Sequence, residues 1–225
     1  MQSENFNFAG HTEYLQSEFG SDTAFMLMTS DTLRIGILTG HVPLSKVPAL
    51  VTQEKLLSII RLINRTMPED FNIYRPRIAV LSLNPHASDN GLTGGEEQTI
   101  IIPAIESAKN EGILVFGPFS SDGYFGSYNY KQFDATLAMY HDQGMTAFKT
   151  LCFERGVNYT VGLPVVRTSP AHGTGYDIAG KNIASPESFR QALYMACDIV
   201  KNRKQYQELK ENAMKEVEVE LKIEN

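Results

Sequence analysis

Residues 78–116 read IAVLSLNPHASDNGLTGGEEQTIIIPAIESAKNEGILVF. From Ile78 to Leu83 the chain is a short, nearly unbroken apolar run that stops at Asn84-Pro85, the pattern of a buried strand. Ile100, Ala104 and Ala108 then recur at helical spacing, and Pro103 sits early in that run, which predicts a helix from about Glu97 to Asn110. Gly112 ends it, and ILVF at 113–116 is a second strand. Strand and helix alternate outward from this stretch as well. Residues 24–29 (AFMLMT) and 33–39 (LRIGILT) read as two strands joined by a tight turn at Ser30 and Asp31. Val47, Leu50, Val51, Leu57, Ile60 and Ile63 predict a helix over 47–65. Apolar stretches follow at 133–140 and 144–151, and a strand is expected at Val161–Val166. The alternation defines an α/β fold.

The C-terminal part differs in character. Ser185-Pro186 is a helix start, with a Ser cap and Pro at the first helical position. Phe189, Leu193, Ala196 and Val200 form one apolar stripe behind it. Residues 217–223 (VEVELKI) alternate strictly, which predicts a strand covering a sheet edge; continuation of the preceding helix is the alternative, because Glu and Lys favour helices. The expected organisation is an α/β domain over 1–180, followed by a helical segment over 181–225.

Composition narrows the function classes. With 225 residues, 42% of them hydrophobic and 20% charged, the chain can bury a core and is neither disordered nor collagen-like. A net charge of −6 argues against general nucleic-acid binding. No apolar run approaches the ~18 residues of a membrane span. The opening MQSENFNF has neither the basic start nor the apolar core of a secretory signal. Two cysteines, Cys152 and Cys197, are too few for a disulfide framework, so a reducing, cytoplasmic setting is expected.

Five histidines, His11, His41, His86, His141 and His172, each lie beside Gly, Pro, Asp or Thr at the expected end of an element. Loops at strand ends are where α/β folds hold ligands, and imidazole is the commonest nitrogen ligand for divalent metals. Three of them at strand ends suit one metal with positions left open for substrate. Loop histidines that merely face water are the competing reading, and no HxxxH or HExxH spacing decides between the two. Lys149, Asn158 and Arg167 are evenly spaced near apolar runs. They suit a phosphate, by charge and donor geometry, or a set of solvated surface groups. The GHTE segment at 10–13 offers main-chain N–H groups and the Thr12 hydroxyl to an anion. Glu96-Glu97 open a helix and read as structural. Asp142, beside His141, suits an orienting role. Neither GxGxxG nor GxxxxGK[ST] occurs, so a Rossmann dinucleotide site and a P-loop lack support.

Taken together, GHTEYL (10–15), TGHVPL (39–44), LNPHA (83–87), GGEE (94–97), GPF (117–119) with Asp122, FDATLAMYHDQG (133–144), FKTLCFERGVNYTVGLPVVRTS (148–169) and HGTGYDIAGK (172–181) resemble the 4-hydroxythreonine-4-phosphate dehydrogenase family of vitamin B6 biosynthesis. The last motif is also similar to isopropylmalate and isocitrate dehydrogenases, whose nicotinamide site is not Rossmann-like. The resemblance implies that architecture here, with the N-terminal part of one domain lying before GHTE and missing from this chain. It further implies a divalent metal (zinc, magnesium or cobalt) held by His41, His86 and His141. Substrate contacts are implied for His11, Thr12, Lys149, Asn158 and Arg167, and NAD or NADP near His172 to Lys181. It also implies a homodimer with its active site near the interface. The reaction implied is metal-dependent oxidation of a phosphorylated 3-hydroxy acid followed by decarboxylation. Phospho-threonate or phospho-erythronate are alternative substrates. A truncated metal-binding remnant without catalysis and a phosphate-binding regulatory module are the readings outside enzymology. One departure stands in SPAHGT (169–174): Ala171 occupies a position where the resemblance leads one to expect an acid, which bears on local orientation and substrate choice.

Overall fold

The computed structural model describes residues 8, 10–21, 23–173 and 175–223, with side chains described as far as 213. Seven strands form one mixed sheet: β1 (Phe25–Thr29), β2 (Arg34–Thr39), β3 (Ile78–Leu81), β4 (Val115–Phe119), β5 (Ala135–Tyr140), β6 (Val157–Val161) and β7 (Thr168–Pro170). Their order across the sheet is β4-β3-β5-β2-β1-β6-β7. The four strands β4, β3, β5 and β2 are mutually parallel, while β1, β6 and β7 pair antiparallel. The helices are α1 (His11–Glu18), α2 (Val47–Leu50), α3 (Gln53–Phe71), α4 (Ile102–Asn110), α5 (Ser121–Gly126), α6 (His141–Cys152) and α7 (Glu187–Ile223).

Period-two alternation divides the core into two layers. Ile78, Val80, Leu137 and Met139 pack with Leu56, Ile60 and Ile63 of α3, Ala104 and Ile105 of α4, and Ile199 of α7. On the opposite face, Ala79, Leu81, Ile35, Ile37 and Ala138 pack with Tyr124 of α5 and with Met145 and Phe148 of α6. Helix α6 approaches its strands closely at Gly144. A Cβ there would fall 2.5 Å from Ile37 Cδ1 and 2.8 Å from Ile35 Cγ2, so only glycine lets the helix lie down. A buried polar cluster ties α3 to α7 and β6. Asp70 accepts from Arg203 Nε at 2.6 Å and from the Tyr159 hydroxyl at 2.5 Å. Burial and the neighbouring Asp70 carboxylate push the Tyr159 hydroxyl pKa well up, so it stays a donor.

Three boundaries differ from the sequence expectations. The helix expected over 47–65 is two helices, because Val51 is extended and Thr52 caps a new start, its hydroxyl accepting from Lys55 N–H. The strand expected at Val161–Val166 ends at Val161: Gly162 takes φ +92 and Pro164 follows, and the strand lies at 157–161 instead. Residues 217–223 run as backbone of α7, not as a strand, so helix propensity outweighs alternation in this Glu/Lys-rich segment. Ser185 does cap α7, accepting from Glu187 N–H. Among the described residues no helix is long and apolar enough to cross a membrane.

Candidate functional site

The parallel strands β3, β5 and β2 are adjacent, and the chain leaves their C-terminal ends at His86, His141 and His41 respectively. That edge is where open α/β sheets place ligands. The end of β3 is clamped from two sides. Glu97, whose side chain is fully buried, accepts from the Leu83 and Asn84 main-chain N–H groups at 2.8 Å each and from Asn84 Nδ2 at 2.9 Å. Gln143 accepts from Met139 N–H at 2.8 Å and donates to the Ser82 carbonyl at 2.7 Å, joining the ends of β5 and β3. The structural reading of Glu97 therefore stands, with a sharper content: it fixes the exit of the strand that leads to His86.

Beyond the clamp the backbone is strained. His86, Ala87, Ser88, Asp89 and Asn90 all have φ between +45° and +63°. Each such non-glycine residue costs ~1–2 kcal/mol, and runs of them collect at ligand sites. Buried Ser88 holds the turn by donating to Gln98 Oε1 at 3.0 Å. His41 also lies in this region, at φ +50°.

Two of the three imidazoles carry a carboxylate on Nδ1. Glu13 accepts from His41 Nδ1 at 3.4 Å, and Asp142 accepts from His141 Nδ1 at 2.7 Å. An ionised carboxylate only accepts, so Nδ1 is the donor; in the neutral ring that tautomer leaves Nε2 as the acceptor, the arrangement found behind metal-binding imidazoles. His41 and His141 border one hollow with Asp142 and Tyr140. His86 stands toward Asp122. Its charge adds to the Ser120 hydroxyl and the Gly123 N–H, the stronger influences, in lowering the Asp122 carboxyl pKa. The donor types and their carboxylate partners suit a divalent ion. Among the described residues of one chain, however, no three His, Cys, Asp or Glu side chains converge as a ligand set.

A second hollow of about 770 Å³ is lined by His11, Thr12, Glu13, His41, Lys55, Asn158 and Arg167, among others. Asn158 Oδ1 and Glu13 Oε2 are buried there without a hydrogen-bond partner among the described residues. Arg167 is half-buried, donates to Thr160 Oγ1 at 3.2 Å, and has its pKa lowered by that burial. The cleft thus gathers four of the five expected substrate contacts. Lys149 is the exception: it lies exposed on α6 and does not line the cleft. The described residues of 172–181 follow β7 with a short 3-10 turn at Tyr176–Ile178 and are mostly exposed, Tyr176 to 84%. Ala171 packs among the side chains of the α5–α6 layer, and its N–H donates to Ser188 Oγ. Sequence reasoning missed Glu13, Gln143 and Lys55. The first two sit inside the GHTE and MYHDQG motifs, whereas Lys55 carries no local signal.

Fold and site together define an α/β protein with a polar cleft beside the C-terminal end of β2, lined by His11, Thr12, His41, Lys55, Asn158 and Arg167. Residues 1–196 match the family described as pyridoxal phosphate biosynthetic protein PdxA, and the chain belongs to it. The 4-hydroxythreonine-4-phosphate dehydrogenase of Bacteroides thetaiotaomicron is 50% identical over 216 residues, covering 96% of this chain and 59% of that protein. Its counterpart from Sulfurihydrogenibium is 48% identical over 204 residues, covering 91% and 63%. The crystal structure of the 4-hydroxythreonine-4-phosphate dehydrogenase from Klebsiella pneumoniae superposes with a TM-score of 0.76 at 35% identity, covering 87% of this chain and 59% of that one. The chain therefore spans roughly three-fifths of the length of these relatives. The family resemblance read from the motifs holds.

Proposed function

We propose that the cleft binds 4-phosphohydroxy-L-threonine and that the chain serves the NAD- or NADP-linked oxidation and decarboxylation of this 3-hydroxy acid in pyridoxal phosphate biosynthesis. The observation that carries the reading is the meeting of His11, Thr12, His41, Asn158 and Arg167 on one cleft. Arg167 supplies positive charge to an anionic substrate, and the Thr12 hydroxyl and His11 imidazole supply further polar contacts. The buried Asn158 Oδ1 and Glu13 Oε2 are acceptors for the substrate's hydroxyl and ammonium groups. His41, His86 and His141 are assigned as ligands of a divalent ion such as zinc. Support comes from their places at three adjacent strand ends and from the carboxylates behind His41 and His141. Because these side chains do not converge within one chain, we assign the complete centre to a homodimer, in which Lys149 also serves the cleft of the second copy. When bound, the ion would supply Lewis acidity toward the substrate hydroxyl, and the nicotinamide would supply the hydride acceptor. The loop 172–181 is assigned to the nicotinamide cofactor, in a non-Rossmann cleft of the isopropylmalate dehydrogenase kind.

The test is NADH or NADPH formation by zinc-loaded protein given 4-phosphohydroxy-L-threonine, compared with the His141→Ala variant. Turnover that His141→Ala abolishes supports the reading. Turnover with phospho-erythronate alone moves the substrate assignment to that acid. Absence of turnover with either, or full activity in the variant, contradicts it.

A further inference from the structure

We propose that Lys55 is a specificity-determining residue that takes the phosphate of the substrate together with Arg167. Helix α3 begins at Gln53 because Thr52 caps it, so Lys55 falls in the first turn with its side chain on the wall of the cleft. Two local costs attend that position. A cation in the first turn opposes the helix dipole, which favours negative charge at that end. The side chain is also half-buried, and this desolvation alone lowers its pKa. Among the described residues nothing offsets either cost, and Lys55 Nζ has no hydrogen bond and no ion pair there. Two carboxylates, Glu13 and Glu54, line the same cleft, but among the described residues neither forms an ion pair with Lys55; Glu13 Oε1 pairs with His41 instead. Residues that break local rules without internal compensation are expected where a ligand supplies the missing partner. Arg167, also half-buried, faces the same space. Two cations around one hollow suit a dianionic phosphate better than a single carboxylate, and an unphosphorylated hydroxy acid would leave one of them unpaired.

The inference rests on the phosphorylated-substrate reading, and the experiment separates the two. Binding of inorganic phosphate, 4-phosphohydroxy-L-threonine and unphosphorylated 4-hydroxy-L-threonine is measured by calorimetry on the full chain, on Lys55→Met and on Lys55→Arg. A charge-assisted contact corresponds to a ~10- to 100-fold change in affinity. Lys55→Met should weaken both phosphate-bearing ligands by that factor and leave 4-hydroxy-L-threonine unchanged. Lys55→Arg should stay near the parent value. Equal affinity of parent and Lys55→Met for phosphate overturns the inference, as does equal weakening of all three ligands or no phosphate binding by the parent. Lys55-dependent binding of inorganic phosphate without binding of 4-phosphohydroxy-L-threonine would sink the substrate assignment and leave Lys55 as a phosphate residue.

Discussion

Replacing Glu97 with alanine tests how the strand end that presents His86 is held. The carboxylate is fully buried and accepts three N–H groups at 2.8–2.9 Å. Among the described residues two of the donors, Leu83 N–H and Asn84 N–H, have no second partner, whereas Asn84 Nδ2 keeps Glu96 Oε2 at 2.8 Å. Stranding a buried donor costs ~1–3 kcal/mol, so the two main-chain groups together cost ~2–6 kcal/mol. At ~2–4 °C per kcal/mol for a chain of this size, a central loss of ~4 kcal/mol lowers Tm by ~8–16 °C. Glu97→Gln keeps the shape and one acceptor oxygen but turns an amide toward Asn84 Nδ2, two donors facing each other. Its loss should be smaller, ~1–2 kcal/mol. Urea denaturation and calorimetry at neutral pH measure both variants. A loss under ~1 kcal/mol for alanine would refute the clamp. Equal losses for alanine and glutamine would show that burial of charge, not the hydrogen-bond set, matters.

Other outcomes follow from the packing and the buried charges. Gly144→Val should destabilise by ~1–3 kcal/mol, since its Cβ would press on Ile35 and Ile37; an unchanged Tm would mean that α6 slides freely. Asp70→Ala should cost ~3–5 kcal/mol by leaving Arg203 without its carboxylate, whereas unfolding curves within ~1 kcal/mol of the parent would mean that water replaces it. Lys55 has its folded pKa lowered from 10.5, so its protonation opposes folding. That penalty is fully present below the depressed folded pKa and disappears as pH rises through the unfolded value. Lys55→Met should therefore equal or exceed the parent in Tm at neutral pH, with the gap closing as pH rises toward the unfolded value; a variant less stable than the parent across the range would contradict this.

Much of the architecture was legible because its signals are local. The run Ile78–Leu83, the turn at Ser30-Asp31 and the stop at Gly112 each act within a few residues, and all appear in the fold. The errors fell where two local signals compete. Apolar spacing continued across Val51-Thr52 while the Thr cap started a new helix. The apolar tract after Val161 hid the turn that Gly162 and Pro164 impose. The cleft itself was legible only through motifs. His11, Asn158 and Arg167 lie far apart in sequence and meet because β6 pairs with β1 beside β2, a long-range fact without a local trace. Lys55 entered the cleft through the start of α3 and belongs to none of the motifs read from the sequence. Lys149 matched a motif yet lies exposed on α6 and outside the cleft, because a motif match does not encode where a side chain points in the fold.

The most direct test of the account is a calorimetric titration of the full chain with 4-phosphohydroxy-L-threonine, with zinc present and with zinc chelated. The account predicts tight binding with zinc and a marked loss when the ion is removed, with the same loss in His41→Ala whether or not zinc is added. Binding of equal strength with and without the ion, unaffected by His41→Ala, would contradict it.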